Sequence, residues 1–249
     1  MLNNLLKDPL ANGLAVIVLV SLAMALIGSL VIALRDSPVS TGKNGYTVLL
    51  LLFTLLGLPA AFDLLGTRGW PVVLALVVFL ALAFTLIMPL WQMAGKTSHP
   101  LVANWQRWAI PVLALGGLAV AGYLAFVEST NTSPLCGPVG HCGEVQNSPY
   151  AVLFGTLPVG VLGFAGYAAI LVLWLVGQSL PDPLKKTGAL IIWGFCLFGV
   201  IFSAYLTFLE PFVIGATCMW CISSAVVMNA LLWLSTPPAQ SALAIELDA

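Results

Sequence analysis

The chain has 249 residues, of which 61% are hydrophobic and only 7% charged, with a formal net charge of −1 and a mean hydropathy of +1.08. That balance excludes a soluble globular domain, whose charged share is usually about a quarter. The eight Lys and Arg residues form no cluster, so a nucleic-acid-binding surface is excluded as well.

A helix must run about 20 apolar residues to cross a hydrocarbon core roughly 30 Å thick, where its backbone has to satisfy its own hydrogen bonds. Seven stretches meet that need: Leu14–Leu34, Tyr46–Leu65, Trp70–Trp91, Ala109–Val127, Leu157–Val176, Gly188–Leu209 and Ile222–Leu234. The last reaches full length by extending back through the cysteines before it. The expected fold is an all-α integral membrane protein of about seven transmembrane helices. Leu14–Leu34 is read as a true span, since it exceeds the usual signal core of roughly 7–15 residues and lacks a small-x-small exit.

Positive charge sets the orientation, because loops rich in Lys and Arg stay in the cytoplasm. With alternating spans, Lys7 and Arg68 fall on one side and Arg35, Lys43, Lys96, Arg107, Lys185 and Lys186 on the other. The N-terminus is therefore expected outside and the C-terminus inside. The loops after the fourth and sixth spans then face outward. Asp63, Glu128 and Glu210 stand at the outer ends of spans and read as interfacial, solvated carboxylates, for which the headgroup region is far cheaper than mid-bilayer.

Organisation follows from the same pass. Residues 1–95 hold three spans without cysteine or paired charge and read as a separable N-terminal unit. Residues 96–108 are a cytoplasmic connector, 109–235 a four-span domain, and 236–249, opened by Pro237-Pro238, a cytoplasmic tail too short to fold alone.

Four of the five cysteines lie in two pairs, both on the outward side. Cys196, alone in an apolar run, reads as a small hydrophobe. Cys218 and Cys221 form a Cys-x-x-Cys motif just before the last helix. Two thiols at that spacing can close a small disulfide, and a helix start beside them favours a thiolate. Cys136 and Cys142 lie in a Gly- and Pro-rich loop, Glu128–Pro149, expected to be turn-rich rather than helical. His141, beside Cys142, has two readings, a solvated loop histidine with no role, which is the commoner case, and a group favouring a thiolate at Cys142. Three readings stand: redox exchange, a structural disulfide, and a zinc site using both pairs. Residues 143–217 separate the pairs, far more than compact zinc modules place between their halves, and an oxidising exterior makes disulfides the default. Redox exchange is favoured, and no metal is expected.

Cys136-x5-Cys142, Val145, Asn147-Ser148-Pro149-Tyr150, Phe154-Gly155, Pro158, Gly163 and Tyr167, followed by Cys218-Met219-Trp220-Cys221, resemble the vitamin K epoxide reductase family in its bacterial disulfide-forming branch. The resemblance covers about Ala109–Leu234. It implies a C-terminal four-helix bundle around a quinone, preceded here by three extra helices, in a bacterial plasma or inner membrane. Cys136 would exchange with a separate extracytoplasmic thioredoxin-fold protein, Cys142 would pass electrons to Cys218, and Cys221 would face the quinone, menaquinone or ubiquinone. Ser148 and Phe154 match positions lining that site. The vertebrate epoxide reductases have a substrate-holding asparagine and tyrosine where this chain has Ala151 and Ala225, so disulfide generation is favoured over epoxide reduction. The expectation is a quinone-dependent, disulfide-generating membrane oxidoreductase. The contrasting class is a non-enzymatic membrane binding or transport protein whose cysteines hold a metal or staple loops.

Overall fold

A computed structural model of the protein describes residues 2–34, 100–130, 132–136, 140–153 and 155–247. In chain order the helices are α1 (Leu2–Leu5), α2 (Pro9–Ala33), α3 (Pro100–Thr130), α4 (Cys142–Gln146), α5 (Val159–Ser179), α6 (Asp182–Leu209) and α7 (Met219–Leu247). A two-residue hairpin, β1 (Val152–Leu153) paired antiparallel with β2 (Leu157–Pro158), sits before α5, and a π-helical turn, Glu210–Ile214, closes α6. Five helices among the described residues are long and apolar enough to span a bilayer. The protein is an all-helical integral membrane protein. The expected spans Tyr46–Leu65 and Trp70–Trp91 lie outside the described residues.

The helix ends follow local chemistry. Asp8 caps α2, its carboxylate accepting from the Ala11 N–H at 3.2 Å, and Pro9 occupies the first turn, where a missing N–H costs nothing. α6 begins on Pro181-Asp182-Pro183 in the same way, with Asp182 at the positive end of the helix dipole. Its far end widens, as Gly215 N–H reaches back five residues to the Glu210 carbonyl at 2.7 Å. Gly215 takes the left-handed conformation that ends the turn, with φ of 80°.

The exterior of these helices is apolar. Ile17, Ile27, Val112, Leu115, Val172, Leu175 and Ile201 are all exposed, as side chains facing lipid tails should be. Between helices, association relies on close packing and on hydrogen bonds, since lipid is as apolar as leucine. α7 is the most enclosed helix. It pairs broadly with α6, and α3 pairs with α5. Gly117 of α3 lies flat against the Tyr167 ring of α5, and Tyr167 in turn donates from its hydroxyl to the Ser224 carbonyl of α7 at 2.9 Å.

α2 belongs to this same core, although the sequence suggested a separable unit there. Ser29 shares a 2.7 Å hydrogen bond with Thr236 and accepts from the Trp193 indole at 2.9 Å, and Asn229 donates to Ser21 at 2.8 Å. Bonds of this kind contribute about 0.6–2 kcal/mol each within a bilayer.

Two further expectations change. The connector ending at Trp108 is helical from Pro100 onward. The tail opened by Pro237-Pro238 continues α7 to Leu247. Two prolines remove the N–H groups that would bond the Trp233 and Leu234 carbonyls. The helix nevertheless persists, because Leu231–Leu234 on one side and Ala239, Gln240 and Ala242 on the other are buried against their neighbours.

Substituting Gly117→Ala should destabilise the bundle by about 1–3 kcal/mol, because the added methyl meets the hydrogen-bonded Tyr167 ring. Gly116→Ala, whose methyl meets nothing within 4 Å, should leave the thermal unfolding midpoint in detergent unchanged or slightly raised.

Candidate functional site

Both cysteine pairs lie at one end of the bundle, and the structure brings them together. Cys136 and Cys142 are joined as a disulfide with their Cα atoms 5.8 Å apart, while Cys218 and Cys221 are free thiols. Cys142 and Cys218 are both fully buried and pack in one small cluster with Val145 and Ala216, with Cys221 and Trp220 against its edge. Cys196, also buried and free, sits in the bundle core away from this cluster.

Leu135 and His141, each next to one cysteine of the disulfide, are strapped to the residues beside Cys218. His141 N–H donates to the Thr217 carbonyl at 2.9 Å. The Trp220 indole donates to the Leu135 carbonyl at 2.8 Å, and Leu135 N–H donates to the Tyr123 hydroxyl at 2.7 Å. The Tyr123 and Trp220 rings lie 4.6 Å apart between centroids, closing the strap from α3 to α7. Gly140 is required at this crossing for two reasons: its φ is 89°, and a Cβ there would run into the Thr217 carbonyl.

The loop expected to be turn-rich and non-helical is therefore partly helical, because Cys142 opens α4. His141 matches the reading of a solvated loop histidine rather than that of a group serving Cys142. Its ring is largely exposed, with Nε2 4.0 Å from the Asp8 carboxylate at the start of α2. α2 also reaches the motif through Asn12, whose side-chain oxygen accepts from the Thr217 hydroxyl at 2.8 Å, one residue before Cys218.

Cys218 occupies the cap of α7, its carbonyl accepting from Ile222 N–H at 3.0 Å. Its thiol is held below the ordinary thiol range, first by a hydrogen bond from the Cys221 side chain and then by the Cys221 and Trp220 N–H groups and the Gln146 amide, which together outweigh burial. The Gln146 amide nitrogen points at both sulfurs, 4.0 Å from Cys218 and 3.9 Å from Cys221. Its carbonyl oxygen is buried without a hydrogen-bond partner.

Beneath the sulfurs lies an apolar cavity of about 280 Å³, walled by α5, α6 and the α4–hairpin region. Cys221 reaches it and Cys218 does not. Tyr150, Phe195, Phe198 and Phe202 supply its aromatic surface, and Gln146, Ser148, Glu128 and Glu210 its polar points. The Ser148 hydroxyl donates to the Val145 carbonyl at 2.7 Å, leaving its oxygen free to accept. Ala151 forms part of the wall, whereas Ala225 is buried in the bundle core. Phe154 lies outside the described residues.

Glu128 and Glu210 were expected to be interfacial and solvated; Glu128 keeps part of its surface exposed, whereas Glu210 is buried. Glu128 accepts from Gly160 N–H at 2.8 Å, and Glu210 is 2% exposed, its carboxylate accepting from Cys218 N–H at 3.3 Å. The π-helical turn swings Glu210 inward. Asp63 lies outside the described residues. The reading also passed over Gln146, Tyr123, Trp220 and Asn12, whose roles arise from contacts between distant parts of the chain. The only local hint was a carboxylate shortly upstream of each cysteine pair.

An all-helical membrane bundle that seats two cysteine pairs in one buried cluster, with one of them opening on an apolar cavity, defines a membrane protein whose site is made of sulfur. The pattern of the Vitamin K epoxide reductase family matches residues 108–236, just over half of the chain, and the chain belongs to that family. It is similar to the thiol-disulfide oxidoreductase LTO1 of Arabidopsis thaliana, with 34% identity over 123 residues, which is 45% of this chain and 31% of that protein. The chain thus matches about a third of the length of this relative. No solved structure matches it.

Alkylation follows the thiolate, so in fully reduced protein the rate at Cys218 should rise through a midpoint below about 8.5, the value of a free thiol. Gln146→Leu removes one of the groups holding the thiolate and should move that midpoint upward. Mass-spectrometric alkylation rates across pH would read both, and an unmoved midpoint would separate Gln146 from the thiolate.

Proposed function

We propose that the protein is a membrane thiol–disulfide oxidoreductase of the family's disulfide-forming branch. It oxidises a separate thioredoxin-fold protein on the extracytoplasmic side and passes the electrons to membrane quinone. The observation that carries this reading is the burial of Cys142 and Cys218 in one cluster, with Cys221 beside them on the cavity wall. The plant relative LTO1, a thiol-disulfide oxidoreductase, supports it.

Each transfer is a two-electron exchange at sulfur. A partner thiolate attacks the Cys136–Cys142 disulfide, and the partner's second thiol resolves the mixed disulfide, leaving an oxidised partner and reduced Cys136 and Cys142. With Cys218 and Cys221 oxidised, the Cys142 thiolate attacks Cys218 and Cys221 leaves. Cys136 then attacks Cys142 and frees Cys218, so the outer disulfide is restored and the inner pair is reduced.

Quinone accepts two electrons and two protons when bound, and the cavity residues suit it. The aromatic wall on α6 offers faces for a planar ring, and the unpartnered buried oxygen of Gln146 offers a hydrogen-bond acceptor for a quinol hydroxyl. Ala151 supplies no side-chain hydrogen bond at that wall, which favours disulfide formation over epoxide reduction. Lys185 and Lys186 lie at the end opposite the cysteines, which supports an outward-facing site.

Replacing Cys221→Ala should abolish quinol formation in proteoliposomes. Replacing Cys136→Ala should spare oxidation of a small dithiol and block oxidation of a thioredoxin-fold protein. If both variants kept full activity with both reductants, the relay would be wrong.

A further inference from the structure

Oxidising Cys218 and Cys221 to one disulfide breaks two S–H bonds, and the two protons must leave a largely apolar site. Cys218 is fully buried, and Cys221, partly exposed, stands on the wall of the apolar cavity. Bare thiolates and free protons are costly in such surroundings, so the chemistry needs a fixed acceptor beside the sulfur.

Two carboxyl groups line the cavity together with Cys221, Glu210 from the end of α6 and Glu128 from the end of α3. Glu210 is the one that is also hydrogen-bonded to the Cys-x-x-Cys backbone. Its carboxylate accepts the Cys218 N–H, sits beside the Cys221 thiol, and forms part of the cavity wall. A carboxylate serving only as interfacial decoration has no reason to be 2% exposed. The Gly215-terminated π turn, which adds a residue to the last turn of α6, is the backbone device that brings it there.

We propose that Glu210 is a catalytic residue that takes the proton of the Cys221 thiol as the inner pair is oxidised and returns it on the cavity side to the reduced acceptor. This rests on the quinone reading above. In the full balance, Cys218–SH and Cys221–SH give one S–S bond, and two electrons with two protons pass to a quinone, which becomes the quinol. Glu210 carries one of those protons and is regenerated each turn.

Glu210→Gln separates this role from a structural one, because the amide oxygen still accepts from Cys218 N–H but cannot take up a proton. In quinone-free protein, redox-difference infrared spectra taken across oxidation of the Cys218–Cys221 pair should show a carboxyl group changing protonation, and Glu210→Gln should remove that band. In quinone-loaded proteoliposomes the same variant should form quinol about 100-fold more slowly, while exchange of the Cys136–Cys142 disulfide with a small dithiol keeps its rate. Wild-type quinol formation together with an unchanged infrared band in Glu210→Gln would overturn the proposal. Absence of quinol formation in the wild type would instead overturn the quinone reading, and the infrared band would still decide whether Glu210 exchanges a proton with the pair. If Glu210→Gln fails to fold, as judged by loss of the Cys136–Cys142 disulfide, Glu210→Asp decides the matter. It should keep a shifted carboxyl band, and its absence would overturn the assignment.

Discussion

Sulfur exchanges with sulfur only on contact, so the site depends on the hydrogen bond that lays one cysteine loop on the other. That bond runs from His141 N–H to the Thr217 carbonyl, 2.9 Å long and one residue from a cysteine at each end. It fixes Cys142 beside Cys218 in a place where neither sulfur meets water. The bilayer imposes a complementary rule. Irregular backbone is tolerated near it only where its polar groups find partners in protein or line a cavity. The strap through Leu135, Tyr123 and Trp220 and the π turn at Glu210 meet that rule, and in doing so they shape the cavity roof.

The N-terminal helix gives the clearest view of how remote residues set this geometry. α2 lies outside the family-matched residues 108–236. Even so, Asn12 holds the Thr217 hydroxyl and Asp8 lies against His141, the two residues whose backbones form the crossing. Asn4 of α1 donates to the Phe212 and Val213 carbonyls of the π turn, at 3.4 and 3.1 Å. The added segment therefore braces the cysteine end from the side opposite α3, through polar contacts at a level where lipid tails offer none.

Some of this was legible in the sequence and some was not. Apolar runs long enough to span a bilayer revealed the helical membrane fold, and the two cysteine spacings with their Ser-Pro-Tyr string revealed the family. These signals are local, and each survives without knowledge of packing. The burial of Glu210 was not legible because a carboxylate at the end of an apolar run looks the same whether it turns outward to headgroups or inward to a cavity. The turn at Pro211 and Gly215 makes that choice. The length of α7 was underestimated for a related reason, since two consecutive prolines argue for an end and only burial on both sides of them argues against it. Gln146, Trp220 and Asn12 carry no motif of their own, and their importance appears only when chain segments far apart in sequence meet.

Electrons can pass inward only if Cys142 and Cys218 come within bonding reach of each other. A variant carrying both Cys136→Ala and Cys221→Ala leaves these two cysteines without their usual partners. After mild oxidation, non-reducing peptide mapping should find Cys142 and Cys218 joined in a single disulfide within one chain. Two free thiols, each open to alkylation after oxidation, would contradict the account.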